Sequence, residues 1–194
     1  MATVQQFHIL PRHLIPGAKP YAYVLRIELH TRDLAGTLAK IRALRDDGRI
    51  LRGAELEARY GEGTFVPIGP RIAGAGRPAP GARPYAVLFF TNPRPGRQAE
   101  YQSWYEAQEI PALLRQPGVV SARRYTLADQ QLRDPRPAHA YQFMILLEVR
   151  SADIDSTLSG LAAAQAGGRI LNGPALAPTM GDGTFEPVSP VFSR

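Results

Sequence analysis

Residues 48–70, GRILRGAELEARYGEGTFVPIGP, align without a gap to residues 168–190, GRILNGPALAPTMGDGTFEPVSP, and 12 of the 23 positions are identical at a single offset of 120. The same offset carries back through the preceding segment, setting Glu28 on Glu148, Asp33 on Asp153, Thr37 on Thr157 and Leu38 on Leu158. A common spacing held over this length means that the same turns and the same buried positions recur. The chain therefore contains a duplicated structural unit.

The repeated unit reads strand, helix, strand. YAYVLRIELH and YQFMILLEVR are apolar runs rich in branched and aromatic residues, each about one strand long. A polar break containing Asp follows in both. A helical pattern comes next: Leu34, Leu38, Ile41 and Leu44 in one copy, Ile154, Leu158 and Leu161 in the other. Gly48 and Gly168 stand where those helices should end, because glycine accepts the left-handed conformation without a steric penalty. GEGTF and GDGTF then begin extended segments. Neither continues into a Lys and a helix, so both read as duplicated turns and not as phosphate loops.

Between the copies, residues 71–84 (RIAGAGRPAPGARP) read as a Gly/Pro-rich linker. PYAVLFFTNP reads as a strand. Residues 96–118 read as a helix with Tyr101, Trp104, Tyr105 and Leu113 at helical spacing and Pro117-Gly118 as its stop. VVSARRYTLAD reads as a second strand, and a Pro-rich loop leads to the second copy. Residues 85–190 thus spell β-α-β-β-α-β, the ferredoxin-like α+β arrangement. Residues 21–70 form an incomplete second copy, and a strand within residues 1–20 sits opposite VVSARRYTLAD. The sheet face that helices leave bare needs burial, which predicts antiparallel sheets pairing into an α/β barrel, within the chain or across a homodimer. The helix carrying Trp104 occurs once, which predicts one principal site per chain.

Composition narrows the function classes. With no cysteine, thiolate nucleophiles, cysteine zinc sites and iron–sulfur clusters are excluded. His8, His13, His30 and His139 show no close metal-ligand spacing, and no Gly-x-Ser-x-Gly elbow supplies a hydrolase nucleophile. No metal and no cofactor are expected. The net charge of +6 is nearly all arginine, scattered among acidic residues, with Arg123-Arg124 the one adjacent pair. That distribution argues against a nucleic-acid footprint. No apolar run approaches a membrane span and the first residues lack a signal-peptide core, so a cytoplasmic location is the expectation.

Residues 100–127, EYQSWYEAQEIPALLRQPGVVSARRYTL, resemble the dimeric α/β barrel superfamily, in particular its EthD-like branch. The match runs through Trp104-Tyr105, Ile110-Pro111, Pro117-Gly118, Ser121 and Arg123-Arg124-Tyr125. The repeat ends VPIGPRI and EPVSPVF also resemble the family's last strand. A histidine that often follows Trp-Tyr in the family falls at Glu109, and its neighbour at Gln108. The resemblance implies a homodimer and a cleft between sheet and helix. It also implies a small-molecule ligand of aromatic, polyketide-like or lactone-like type, handled without metal or organic cofactor.

Glu109 is then the first candidate for chemistry, since a carboxylate in an apolar cleft gains a raised pKa and serves as a general base; on an open helix face it is only a solvated glutamate. Along the strand, Arg123 and Tyr125 share one face and Arg124 takes the other. One of the two arginines should face the cleft and stabilise an enolate or carboxylate, or else form a surface ion pair. Trp104, Tyr105, Tyr125 and Gln108 are the candidate substrate-binding residues, although a Trp at helical spacing with Tyr101 is more often core. Glu28 and Glu148 would form an acid/base pair if the two copies face each other; the commoner explanation is two solvated strand ends. The function so predicted is a cofactor-independent isomerase, cyclase or monooxygenase-like enzyme; the alternative is a non-catalytic ligand-binding or interaction protein that lacks the family histidine.

Overall fold

A computed structural model describes residues 2–15, 22–50, 62–75, 78–133 and 139–193. Its elements are β1 (Ala2–Ile9), β2 (Tyr23–Leu29), α1 (Leu34–Asp46), β3 (Phe65–Pro67), β4 (Ile72–Ala73), β5 (Arg83–Thr91), α2 (Gln98–Trp104), a π-helical turn (Tyr105–Glu109), α3 (Ile110–Leu114), β6 (Val119–Leu127), β7 (Phe143–Ser151), α4 (Ile154–Ala166), β8 (Gly181–Pro187) and β9 (Phe192–Ser193). The π turn joins α2 to α3 without a break.

Local signals account for the helices. Asp33 accepts the Gly36 N–H at 2.8 Å and Asp153 accepts the Ser156 N–H at 3.1 Å, each satisfying a donor the first turn leaves unpaired. Beside each cap a hydroxyl pair repeats, Thr31 with Thr37 and Ser151 with Thr157. At the far ends Gly48 and Gly168 both take φ 69°, the left-handed value that turns the chain out of a helix. β2 and β7 begin 120 residues apart, as do α1 and α4, and so do β4 and β9. Residues 51–61 of the repeat, and residues 134–138 of the Pro-rich loop, lie outside the described residues.

The strands form one antiparallel sheet in the order β2-β1-β8-β5-β7-β6-β3, with β9 added to β1 and β4 to β6. This sheet curls into a half-barrel. Where two sheets packed face to face were expected, the halves are joined edge to edge. The joint is reciprocal: β8 and β9 from the second half pair with β1, while β3 and β4 from the first half pair with β6. Backbone hydrogen bonds thus join the halves in place of side-chain packing between two sheets. The expected linker at 71–84 likewise holds β4 and the first residues of β5, although its Gly, Pro and Ala carry no strand pattern. Residues 76 and 77 lie outside the described residues.

The outer face of the sheet carries the main core. Val87, Phe89, Ile145, Leu147 and Val149 alternate outward and are covered by Tyr101, Tyr105 and Leu113 from the long helix and by Leu158 and Leu161 from α4. Each such aliphatic side chain contributes about 1.5–3 kcal/mol by leaving water. On the inner face a smaller cluster, Phe7, Ala86, Leu146 and Phe185, lines the concave side. Among the described residues no helix is long and apolar enough to cross a membrane.

Candidate functional site

Glu109 occupies a helix stripe that is otherwise apolar. Tyr101, Tyr105, Glu109 and Leu113 are spaced four apart and all are buried, with Glu109 at 2% exposure. The helix is not regular there. Ile110 donates to the Tyr105 carbonyl, five residues back, and the next residue, Pro111, has no N–H to continue an α ladder. The π turn is the local answer to that missing donor, and it ends on Glu109.

One hydrogen bond fixes the carboxylate. Leu171 donates its backbone N–H to Glu109 Oε1 at 3.0 Å. Leu171 holds φ 53°, a left-handed conformation that costs a residue with a Cβ about 1–2 kcal/mol. Burial raises the Glu109 pKa from 4.5 to about 7, outweighing the opposing pull of the Leu171 N–H. A buried carboxylate with one donor is thus poised between its two protonation states near neutral pH.

Around it stands an aromatic wall. Tyr101 and Tyr105 meet edge-on at 4.6 Å between ring centroids, and Trp104 meets Tyr105 at 4.5 Å. The Tyr101 and Thr91 hydroxyls are hydrogen-bonded at 2.7 Å, and Tyr105 also donates to the Thr91 hydroxyl at 3.4 Å. Burial pushes both phenol pKa values up. Arg124, 7% exposed, reaches this wall from β6: its guanidinium carbon lies 4.7 Å from the Tyr105 ring centroid and 5.8 Å from that of Tyr101. It donates to Gln102 and lies 3.8 Å from Glu106. Burial lowers its pKa, against the attraction of its neighbours.

The candidates thus divide between two faces of the sheet. Glu109, Arg124, Trp104 and Tyr105 share the helix side. Arg123 and Tyr125 point into the half-barrel, as strand alternation predicted, with the Arg123 guanidinium 5.6 Å from the Tyr125 ring centroid. Gln108 is exposed and joins neither group. Trp104 packs against the backbone of Gly173 and belongs to the main core.

Inside the half-barrel, Glu28 and Glu148 line one cleft of ≈ 170 Å³, bringing together the two carboxylates that the repeat placed in register. Thr3 donates to Glu28 at 3.3 Å and Ser121 donates to Glu148 at 2.7 Å. Burial opposes ionisation of Glu148, but the bonds from Arg71 and Ser121 prevail and its pKa falls. His8 lies 3.5 Å from Glu186 on β8, away from that cleft. Among the described residues no three His, Asp or Glu side chains gather as a metal would require.

Sequence reasoning missed Leu171, Thr91, Arg26 and Arg71. Leu171 and Thr91 act through a backbone N–H and a core hydroxyl, which no motif marks. Arg26 stands two residues from Glu28 on the same strand and shares its face, so its direction was readable once Glu28 was placed. No family model, no curated protein and no solved structure matches this chain.

Proposed function

We propose that this protein is a cofactor-independent enzyme that moves a proton on a small aromatic, polyketide-like or lactone-like molecule, with the Glu109 carboxylate as base. The carrying observation is a carboxylate 2% exposed on an apolar stripe, its pKa brought to about 7 by burial. A base of that pKa is substantially ionised at neutral pH and still basic enough to accept a proton from an activated carbon. Glu109 takes the proton from the carbon next to a carbonyl, the electron pair moves to the carbonyl oxygen, and the proton returns at another carbon. The product is an isomer, and no electron or atom is gained or lost.

Arg124 is the arginine suited to the developing oxyanion, because it shares the aromatic wall with Glu109 while Arg123 lies across the sheet. The π turn and the left-handed Leu171 support the reading, since local departures from regular backbone concentrate where a side chain must be aimed. The Leu171 bond also favours a second reading, in which Glu109 only tethers the 167–176 segment and the fold binds a ligand without chemistry.

Screening aromatic acids, quinones and lactones by thermal shift identifies a ligand, and Glu109→Gln then separates the two readings. Under the enzyme reading the variant keeps the Leu171 bond, binds the ligand and loses about a hundredfold or more in turnover. Equal turnover in variant and wild type removes the enzyme.

Two finer readings of the architecture belong here. The order β8-β5-β7-β6 with two crossing helices supports a ferredoxin-like unit at residues 85–190, and the paired 120-residue offsets support an incomplete copy before it. The exposed row Tyr23, Leu25 and Ile27 on β2 supports a homodimer.

A further inference from the structure

We propose that the cleft inside the half-barrel is a binding site for a small aromatic monocarboxylate, with Arg123 as the residue that receives the carboxylate. This site lies on the opposite face of the sheet from Glu109 and rests on none of the chemistry assigned to that residue.

The argument begins with charge. Three guanidinium groups line the cleft, Arg26, Arg71 and Arg123, against two carboxylates, Glu28 and Glu148. Two of the cations are already answered. Arg71 donates Nε to Glu148 Oε2 at 3.0 Å, with a second bond from its terminal nitrogen. Arg26 lies 3.7 Å from Glu28 Oε1. The carboxylates are satisfied in turn by Ser121 and Thr3. Arg123 has no carboxylate among the described residues: its guanidinium lies over the Tyr125 ring, and its Nε is buried without an acceptor. A buried guanidinium donor with no acceptor carries the cost of desolvation with nothing in return. One incoming anion would satisfy the donor and neutralise the excess charge together.

Shape and surface narrow the anion to a class. A planar guanidinium fork matches a carboxylate with two parallel N–H···O bonds. The Arg123 guanidinium lies over the Tyr125 ring, 5.6 Å from its centroid, and the rest of that ring with Leu146 offers an apolar surface for the ring of the ligand. The cleft of ≈ 170 Å³ has room for one ring and its carboxylate. A dianion would overshoot the single unit of charge and meet Glu28 and Glu148.

Benzoate is the probe, with benzamide as its uncharged counterpart. Calorimetric titration of the wild type should show saturable benzoate binding and none for benzamide. Arg123→Met should weaken benzoate binding at least about tenfold, which is about 1.4 kcal/mol, and Glu109→Gln should leave it unchanged. Because Arg123→Met alters a partly buried position, the wild type supplies a second readout: the Arg123 Nε–H resonance should shift on benzoate addition with the same midpoint as the heat. Absence of benzoate binding overturns the site, as does binding that survives Arg123→Met. Binding lost in Glu109→Gln and kept in Arg123→Met would put the acid on the helix side of the sheet, overturning the lumen site while leaving the proposed enzyme in place.

Discussion

A glutamate buried on an apolar stripe must show itself in the pH dependence of stability. The folded pKa of Glu109 is raised to about 7, above its ordinary 4.5, so between these values the native state holds a proton that the unfolded chain has released. Its contribution is therefore most favourable at acid pH and is lost as pH rises toward 7, over a range on the order of 3 kcal/mol. Glu109→Gln fixes the neutral form and keeps the acceptor for Leu171. Denaturant titration of both proteins from pH 4 to pH 8 should show the variant gaining on the wild type as pH rises, by up to about 3 kcal/mol; a constant difference would mean that the carboxyl is solvated. Trp104 gives a second test at this scale. A methyl at Gly173 would fall well inside contact distance of the Trp104 ring, 2.7 Å from Cε3, and both are hemmed in by the core. Gly173→Ala should lower stability by about 1–3 kcal/mol, read as a fall in melting temperature.

Helices and strands were readable to different degrees, and the reason lies in where their signals reside. Asp33 and Asp153 cap helices that end at Gly48 and Gly168, because capping is local chemistry between a side chain and the next turn. Asp153→Ala should therefore cost about 1 kcal/mol, measured by thermal or denaturant unfolding. The burial of Glu109 was left open by the sequence, because the same residue reads as a carboxylate in an apolar cleft or as a solvated glutamate until Tyr101, Tyr105 and Leu113 are seen buried in its row. The π turn was not legible. Pro111 announces a missing hydrogen bond, but whether the helix kinks or widens depends on how Tyr105 and Leu113 seat in the core. Least legible was the exchange of β3–β4 and β8–β9 between halves. Those pairings rest on backbone groups, and Ile72-Ala73 within a Gly/Pro-rich stretch carries no alternation to betray a strand. The division of Arg123 from Arg124 followed from strand alternation, but which of them shared a face with Glu109 required the helix to be placed first.

At the scale of the molecule, the two halves treat the same strand differently. Phe143, Ile145 and Leu147 of β7 are buried beneath the helices, and their counterparts 120 residues earlier, Tyr23, Leu25 and Ile27 of β2, are exposed. The first half offers no counterpart of β5 or of the long helix among its described residues, so β2 pairs on one side only, with β1. An apolar row beside an unpaired edge is the kind of surface that association removes from water. In the proposed homodimer this row meets its copy across a two-fold axis, which makes the contact self-complementary. Light scattering at micromolar concentration should then give twice the chain mass of 21.2 kDa. Placing glutamate at Leu25 and Ile27 together should return the monomer while leaving the helix-side core untouched, because those positions face away from the half-barrel interior that Arg26 and Glu28 line. A wild-type mass near 21.2 kDa, or a dimer indifferent to both charges, would remove this interface.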